Sequence, residues 1–567
     1  MNSDMDRPGA RHGCRFVATL ALTLLACACA SVTPGPATAA NVGGSVNARV
    51  SAVGAGPVPV IITLAAQVAD DPVRRRPAEL LRSLRATATA SQPRVRAKLR
   101  GPSRAFWLVN AISTAVDASE LEALRNDPSV ASIELDPQIT VAGTPVDSGP
   151  ASWGVSAVNA PDVWSRYGLT GTGIRVGSID TGVDGSNPEL TGAISGWKDF
   201  VGGQATPYDD NGHGTHTVGT MVARNVTGAP IGIAPGATAI VAKAMDANGS
   251  ASGSTLLAAA QWMTDPDGDP ATADYPTVIN NSWTAAGAGN EWFRPMVRAW
   301  VALGIAPVFG AGNTPDSIGN PASYPESITV GQLEQSGTIA VNSSRGLISW
   351  AMPDGSTSQV TKPDLTAPGA FISSTVGTGY GLYSGSSMAA PHVAAAIALI
   401  RQARPDLSVD GVREVLRASA VDRGAPGLDL DYGAGALDIA AAIARAGATV
   451  IQPTVAPIAQ PVTVAPKRRA TEIRVLRVVR RGGSLIVQGR ISGPARIKFA
   501  LRPKTARQHV VGTRVNAVRT TRYRSAGRFS VTVPVGRLQR RAYILVVTAS
   551  NAAGRRLGST SVAVRLR

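Results

Sequence analysis

At 567 residues, 44% of them apolar and with a mean hydropathy near zero, the chain is long enough for three or four domains with full-sized cores, and its balance excludes a membrane protein. The formal net charge is +17. All three cysteines, Cys14, Cys27 and Cys29, precede Ala30, so disulfides are excluded as the source of stability for the body of the chain.

The first predicted element is an export signal over residues 1–40. Arg7, Arg11 and Arg15 precede the apolar run Phe16 to Ala30, and Ala37-Thr38-Ala39 offers small residues for cleavage. The run, about 15 residues, is shorter than the roughly 20 that a permanent bilayer-spanning helix needs; a retained anchor is the competing reading. Leu24-Leu25-Ala26-Cys27 is also compatible with a lipoprotein cleavage site, which would leave Cys27 lipid-modified. The expected location is therefore secreted, with a lipid-tethered surface form as the variant.

From Asn41 to Val146 the pattern predicts a small α/β domain. Its elements are a strand at Val58–Leu64, a basic helix at Pro77–Ala86, a strand at Ala105–Ile112, a helix at Ala118–Asn126 and a strand at Val130–Leu135. Asp117 and Glu120 supply a cap and an acidic first turn for the second helix. The order matches a ferredoxin-like βαββαβ pattern.

Residues Trp153 to Gly447 alternate β-rich apolar runs with Ala-rich helical ones. Strands are predicted at Ile174–Ile179, Ala239–Ala244, Thr277–Asn281 and Ala306–Gly310, and helices at His213–Ala223, Ser254–Met263 and Arg294–Leu303. Such alternation implies a parallel sheet with helices on both faces, and ligands bind beyond the carboxyl ends of its strands. Asp180 ends the first of these strands, and Thr181-Gly182 turns its carboxylate outward. Ser387, after a Gly-Ser step, heads the Ala-rich run SGSSMAAPHVAAAIAL and is expected in the first turn of a helix, where unpaired N–H groups and the helix dipole favour an oxyanion. Pro391 is tolerated there if it too falls in the first turn.

Taken singly, a strand-end Asp is a turn residue and a Ser before a helix is a cap. The five histidines narrow the choice of a base. His12 is in the signal and His509 in the tail, while His392 lies about 140° round and roughly 7 Å along the helix from Ser387. His213 and His216 remain; as His-x-x-His they also suggest a metal site, but the glutamate of the HExxH zinc motif is missing. An Asp, a His and a Ser at one sheet edge suffice for acyl transfer.

SIDTGVD around Asp180, GHGTHTVGTM around His213 and GSSMAAPHVA around Ser387 resemble the three active-site signatures of the subtilisin-like serine proteases, in that family's order. GIAPGATAIVAKAMD, NPASYPESITVG, SSRG, KPDLTAPG and YGAGALDIAAAI extend the resemblance over Trp153 to Gly447. It implies a doubly wound, mainly parallel α/β sheet. It also implies that Asp180 orients, His213 acts as base and then acid, and Ser387 is the nucleophile. Asn313, in FGAGN, matches the oxyanion-hole asparagine. Ser282 and Thr284 fall where the family lines its first specificity pocket, with Thr284 in place of the usual glycine. LEALRNDPSVASIELD resembles the inhibitory propeptide that precedes many secreted members, which implies cleavage between Pro137 and Trp153.

The implied organisation is signal 1–40, propeptide 41–147, catalytic domain 148–447, linker 448–466 and a basic β-sandwich 467–567. No cofactor is expected. The family often holds structural calcium, and Asp199, Asp209, Asp210, Asp265, Asp267 and Asp269 are oxygen donors, but DPDGDP lacks the spacing of an EF-hand loop and no site is assigned.

The tail, Lys467–Arg567, holds 25 lysines and arginines against the single acid Glu472, leaving the rest of the chain mildly acidic. It carries no nucleic-acid motif and few aromatics, so the expected partners are protein or peptide substrates, the chain's own propeptide and anionic envelope polymers; a solvated basic surface is the plainer reading. The alternative to an exported zymogen of a serine endopeptidase is a catalytically silent relative that binds the envelope through this tail.

Overall fold

The computed structural model describes residues 40–52, 56–68, 76–141, 146–147, 149, 152–285, 291–351 and 356–450, together with seven strand segments between 473 and 565. The predicted signal, the three cysteines and the Ile451–Pro466 linker lie outside the described residues. Among the described residues no helix is long and apolar enough to cross a membrane. The chain divides into two units, Met1–Gln452 and Pro453–Arg567.

The first unit opens with β1 (Asn41–Val42), α1 (Gly44–Ala52), β2 (Val58–Leu64), α2 (Pro77–Arg96), β3 (Arg104–Phe106), β4 (Ala111–Val116), α3 (Ala118–Arg125) and β5 (Val130–Leu135). Their strands form one sheet in the order β1-β5-β2-β4-β3, antiparallel except for β1 on β5. Alternation along β2 divides its side chains between two cores. Val58, Val60, Ile62 and Leu64 pack with Ile112, Leu121 and Ile133 inside this block, whereas Ile61 joins a cluster shared with Leu256, Met263 and Trp300 of the large domain. Asp117 accepts the Glu120 N–H at 2.8 Å and Glu120 accepts the Asp117 N–H at 3.2 Å, a reciprocal cap that starts α3.

Two expected boundaries are corrected here. The single strand expected at Ala105–Ile112 is a hairpin, because Asn110 adopts a left-handed conformation (φ 41°) and closes a turn over Trp107–Asn110. Leu108 and Val109 are apolar because the turn is buried against the large domain, not because it lies in a strand. The helix expected at Pro77–Ala86 runs on to Arg96 despite Thr87 and Thr89; Gln92 anchors its last turns by donating to the Phe106 carbonyl at 2.9 Å.

The chain then passes through β6 (Gln138–Thr140), β7 (Val146–Asp147), α4 (Trp153–Ala157), α5 (Ala160–Tyr167), β8 (Arg175–Asp180), β9 (Ile194–Asp199), α6 (His213–Val222), β10 (Thr238–Lys243), β11 (Ser250–Ser252) and α7 (Gly253–Thr264). After these come β12 (Val278–Asn281), α8 (Arg294–Ala302), β13 (Ala306–Gly310), β14 (Ile328–Leu333), the ribbon β15 (Gly346–Ala351) and β16 (Thr357–Lys362), and β17 (Leu365–Pro368). β18 (Ile372–Val376), β19 (Gly379–Tyr383), α9 (Ser386–Ala403), α10 (Val409–Ser419) and α11 (Ile439–Arg445) complete the unit.

Seven strands pair in parallel in the order β17-β14-β13-β12-β8-β10-β9. From β8 the chain first fills one side of the sheet, with β10 inserted between β8 and β9, and then crosses to the other, where β12, β13, β14 and β17 run outward in order, so the sheet is doubly wound and its switch point lies between β8 and β12. Helix α9 is buried from Ser386 through Arg401 and packs against β12, β13, β14, β17 and α6. It is apolar all round for that reason. Full burial of Val393, Ile397, Leu399 and Ile400 contributes about 1.5–3 kcal/mol apiece, which holds its first turn in place.

The second unit contains β20 (Ile473–Arg481), β21 (Ser484–Ile491), β22 (Ala495–Pro503), β23 (Ala517–Tyr523), β24 (Gly527–Pro534), β25 (Ala542–Ser550) and β26 (Arg556–Arg565). They form two antiparallel sheets, β20-β21-β24 and β23-β22-β25-β26. Leu485, Val487, Phe499 and Val531 are buried in it.

Candidate active site

Asp180 closes β8 at the switch point and is fully buried. One carboxylate oxygen accepts the Thr181 N–H at 2.8 Å and lies 2.7 Å from Nδ1 of His213. His213 is the first residue of α6. Its approach to Asp180 is set by Gly214, where a Cβ would come within 2.2 Å of the Gly182 carbonyl; any side chain there would push α6 off the end of β8. The loop before it is tied by Asp209, which accepts N–H groups from Asn211, Gly212 and Thr215 and the Thr215 hydroxyl. Burial by itself would lower the pKa of the imidazole. The carboxylate of Asp180, in contact, and that of Asp209 reverse this and hold His213 above its ordinary value.

Ser387 is the second residue of α9. Its hydroxyl donates to the Ser282 carbonyl at 3.0 Å, while Nε2 of His213 is buried without a hydrogen-bond partner. The Ser282 hydroxyl in turn donates to the Ser387 carbonyl at 2.7 Å. This corrects the expected place of Pro391: it is the sixth residue of α9, not a first-turn residue. Having no N–H, it cannot pair with the carbonyl four residues back, and Ser282 satisfies that carbonyl instead. Ser282 thus holds the Ser387 backbone as well as lining the cavity beside it.

Asn313 follows β13, and its Oδ1 accepts the Ser386 N–H at 2.8 Å, which fixes which end of the amide is oxygen and which is nitrogen. Ser386 also accepts the Gly312 N–H through its hydroxyl at 3.0 Å, so both sides of this residue tie α9 to the GAGN turn. A cavity of about 260 Å³ is lined by Ser282, Thr284, Asn313, Ser386 and Ser387, and also by Thr140 and Val141 of the N-terminal block. Thr284 stands over Gly319, where a Cβ would lie 3.0 Å from its own.

The other two histidines among the described residues are occupied elsewhere. His216 pairs through Nε2 with the Ile372 carbonyl at 2.9 Å and stands edge-on to Tyr383, and burial pushes it down to about 3. His392 pairs with the Met388 carbonyl of its own helix at 2.8 Å, and burial pushes it down to about 4. Of the expected oxygen donors, Asp199 caps a turn by accepting from Val201, Gly202, Gln204 and Tyr208, and Asp210 pairs with Lys243.

Lys243 is a residue that the motifs do not single out. Fully buried at the end of β10 and in register with Asp180, it donates to the Thr181 carbonyl at 2.7 Å, the Met245 carbonyl at 2.9 Å and Asp210 at 2.6 Å. It bridges the turn after Asp180 to the loop before His213. The available signal is a lysine closing an otherwise apolar strand, AIVAK.

The N-terminal block reaches this cleft. β6 pairs antiparallel with β11, the Val141 N–H donates to the Gly249 carbonyl at 2.8 Å, and β7 pairs with β19, the strand that leads to Ser387. Gln261 of α7 accepts the Trp107 N–H at 2.6 Å and the Leu108 N–H at 3.2 Å.

Residues 171–435 match the Subtilase family. Bacillopeptidase F of Bacillus subtilis (strain 168) is 39% identical over 295 residues, 47% of this chain but 20% of that protein, so the chain spans about a fifth of its length. Subtilisin E of the same organism is 34% identical over 344 residues, 59% of this chain and 81% of that protein. Alkaline elastase YaB of Bacillus sp. (strain YaB) is 33% identical over 321 residues, 56% of this chain and 76% of that protein. With a parallel doubly wound sheet, an Asp–His contact at its switch point and a 34% identical relative, subtilisin E, matched over 81% of its length, the chain belongs to the subtilase family of serine endopeptidases.

Proposed function

We propose that the chain is an exported serine endopeptidase made as a zymogen, with Asp180, His213 and Ser387 as its catalytic triad. The observation that carries the reading is the buried 2.7 Å contact between Asp180 and Nδ1 of His213, which leaves Nε2 free to take a proton. In the reaction the Ser387 hydroxyl turns from the Ser282 carbonyl to Nε2, loses its proton there and attacks the substrate carbonyl. Asp180 stabilises the imidazolium. Nδ2 of Asn313 and the Ser387 N–H donate to the oxyanion, and His213 then protonates the leaving amine. Water, activated by the same imidazole, hydrolyses the acyl-enzyme. Every step uses side chains and backbone N–H groups of this chain.

Residues 41–147, a ferredoxin-like block, act as an intramolecular inhibitory propeptide. Support comes from β6 lying along β11 as an added strand and from Thr140 and Val141 in the wall of the Ser387 cavity. Cleavage falls between Pro137 and Trp153. Thr284 narrows the specificity pocket. The basic tail, read as a β-sandwich, contacts anionic envelope polymers; cosedimentation at low and high salt tests that part, and no binding at low salt removes it.

The catalytic reading is tested by a fluorophosphonate probe. The wild-type chain, once matured, is expected to label at Ser387 and Ser387→Ala to remain unlabelled; a wild-type protein that labels no faster than Ser387→Ala overturns the reading.

A further inference from the structure

Asp265 ends α7, and Asp267 and Asp274 follow in the loop before β12. Each offers one carboxylate oxygen, and the three oxygens lie within 4.8 Å of one another. Two oxygens bound to one calcium-sized ion at about 2.3–2.6 Å stand at most about 5 Å apart, so the three fit a common centre. Asp265 turns its carboxylate into this cluster at 5% exposure, and its Oδ1, like Oδ1 of Asp274, is buried with no hydrogen-bond partner. Buried carboxylate oxygens without a donor are costly, and a bound cation is one of the few things that satisfies them. The other oxygens are engaged: Asp274 Oδ2 accepts the Asp267 N–H at 2.7 Å, and Asp267 accepts the Asp269 N–H and the Thr272 hydroxyl, both at 2.8 Å.

The cation that meets Asp265 belongs to the N-terminal block. Arg85 of α2 pairs with Asp265 Oδ2, its guanidinium lying over the Trp107 ring at 4.4 Å. On the other side Arg175 donates to the backbone carbonyl of Asp274, not to its carboxylate. When the block leaves, Arg85 and Trp107 go with it, and three carboxylates remain together without the guanidinium.

We propose that Asp265, Asp267 and Asp274 form a divalent-cation site of calcium type in the catalytic domain, for which the Arg85 guanidinium stands in while the N-terminal block is bound. The inference rests on the reading of residues 41–147 as a removable propeptide. Hard oxygen donors with net negative charge select such an ion, and water completes its shell on the exposed Asp267 side. Arg85 and the ion then compete for Asp265, so the ion favours release of the block to the same extent that the block disfavours the ion.

Calorimetric titration with Ca²⁺ tests this on two forms of the protein. In the full-length Ser387→Ala chain, Arg85→Ala is expected to strengthen Ca²⁺ binding at one site by at least about tenfold, the scale on which neighbours of a metal site change its affinity. The matured enzyme is expected to bind one Ca²⁺ that is lost when Asp265→Asn and Asp274→Asn are combined. Asp267→Asn, at an exposed position, gives the same direction with the fold spared. If Ca²⁺ uptake by the Arg85→Ala chain and by the matured enzyme is the same with and without the Asp→Asn changes, the site does not exist. Should the chain never be cut, the Arg85→Ala comparison still reads the cluster, so failure of the propeptide reading and failure of this one are told apart.

Discussion

The two halves of the site are held in different ways. On the Asp180–His213 side the groups are buried and already in contact: the carboxylate takes the Thr181 N–H and meets the imidazole, and Lys243 locks the turns behind both. On the Ser387–Asn313 side the polar atoms are engaged with their own scaffold, the hydroxyl on the Ser282 carbonyl and the amide oxygen on the Ser386 N–H. The difference teaches which parts of an acyl-transfer site need rigidity. A base needs its tautomer and orientation set before reaction, whereas a serine hydroxyl changes rotamer at little cost and has only to be mounted on a backbone that does not move.

The largest expected effect breaks the first half. Asp180→Asn is expected to lower kcat about 10⁴-fold, on the scale known for this carboxylate in serine proteases including subtilisin itself. It also makes a prediction about pH. Burial lowers the His213 pKa, and Asp180 and Asp209 raise it, on balance above the ordinary imidazole value. If His213 is the proposed base it works only when neutral, so activity falls as pH drops through a midpoint above that of a free imidazole. Without the Asp180 charge burial prevails and the midpoint moves down. An acid limb that stays put in Asp180→Asn would show that the contact does not govern the base.

On the second half, Asn313→Ala is expected to cost about 10²–10³ in kcat with little change in KM, the loss attached to the corresponding donor in subtilisin. An equal rise in KM with kcat unchanged would mean that the amide binds substrate and not the oxyanion. Ser282→Ala acts on the mounting instead. It leaves the Ser387 carbonyl facing Pro391 with no donor, a loss of about 1–3 kcal/mol in stability that denaturant titration reads directly. Unchanged stability would show that another donor reaches the carbonyl.

The legible parts of the molecule are those encoded by local pattern. Strand and helix alternation between Ile174 and Gly310 predicts the parallel sheet, and its switch point explains why Asp180 lies at an edge where a ligand binds. What escapes the sequence depends on contacts across the fold. The run around Trp107–Asn110 is apolar because a turn is buried against α7, which no periodicity distinguishes from a strand. Pro391 sits inside α9 because the Ser282 hydroxyl takes the carbonyl that it leaves unpaired, that of Ser387, 105 positions further along the chain than Ser282. Lys243 is likewise not singled out by motif reading: its value lies in three oxygens contributed by three separate segments, the turn after β8, the loop before α6 and the turn after β10.

The smallest expected effect on rate, and the sharpest on selectivity, is Thr284→Gly. Thr284 forms one wall of the cavity beside Ser387, backed by Gly319, and the next residue is anchored by mutual backbone hydrogen bonds between Ala285 and Asn320 at 2.7 and 3.0 Å. The wall's backbone is therefore fixed independently of the side chain, so deleting that side chain widens the pocket without releasing the strand. A single methylene in such a pocket is worth about 1–3 kcal/mol, or roughly 10–200-fold in discrimination. Removing the threonine side chain should raise kcat/KM for a phenylalanine before the scissile bond relative to an alanine by at least about tenfold, while kcat for the small residue stays near wild type. A cleavage profile over a peptide library measures this, and a profile identical to wild type would mean that Thr284 faces the substrate's backbone and not its side chain. In that case selectivity in this chain is set across the cavity from Thr284, and the scaffolded half of the site holds the proposed oxyanion donors without choosing the substrate.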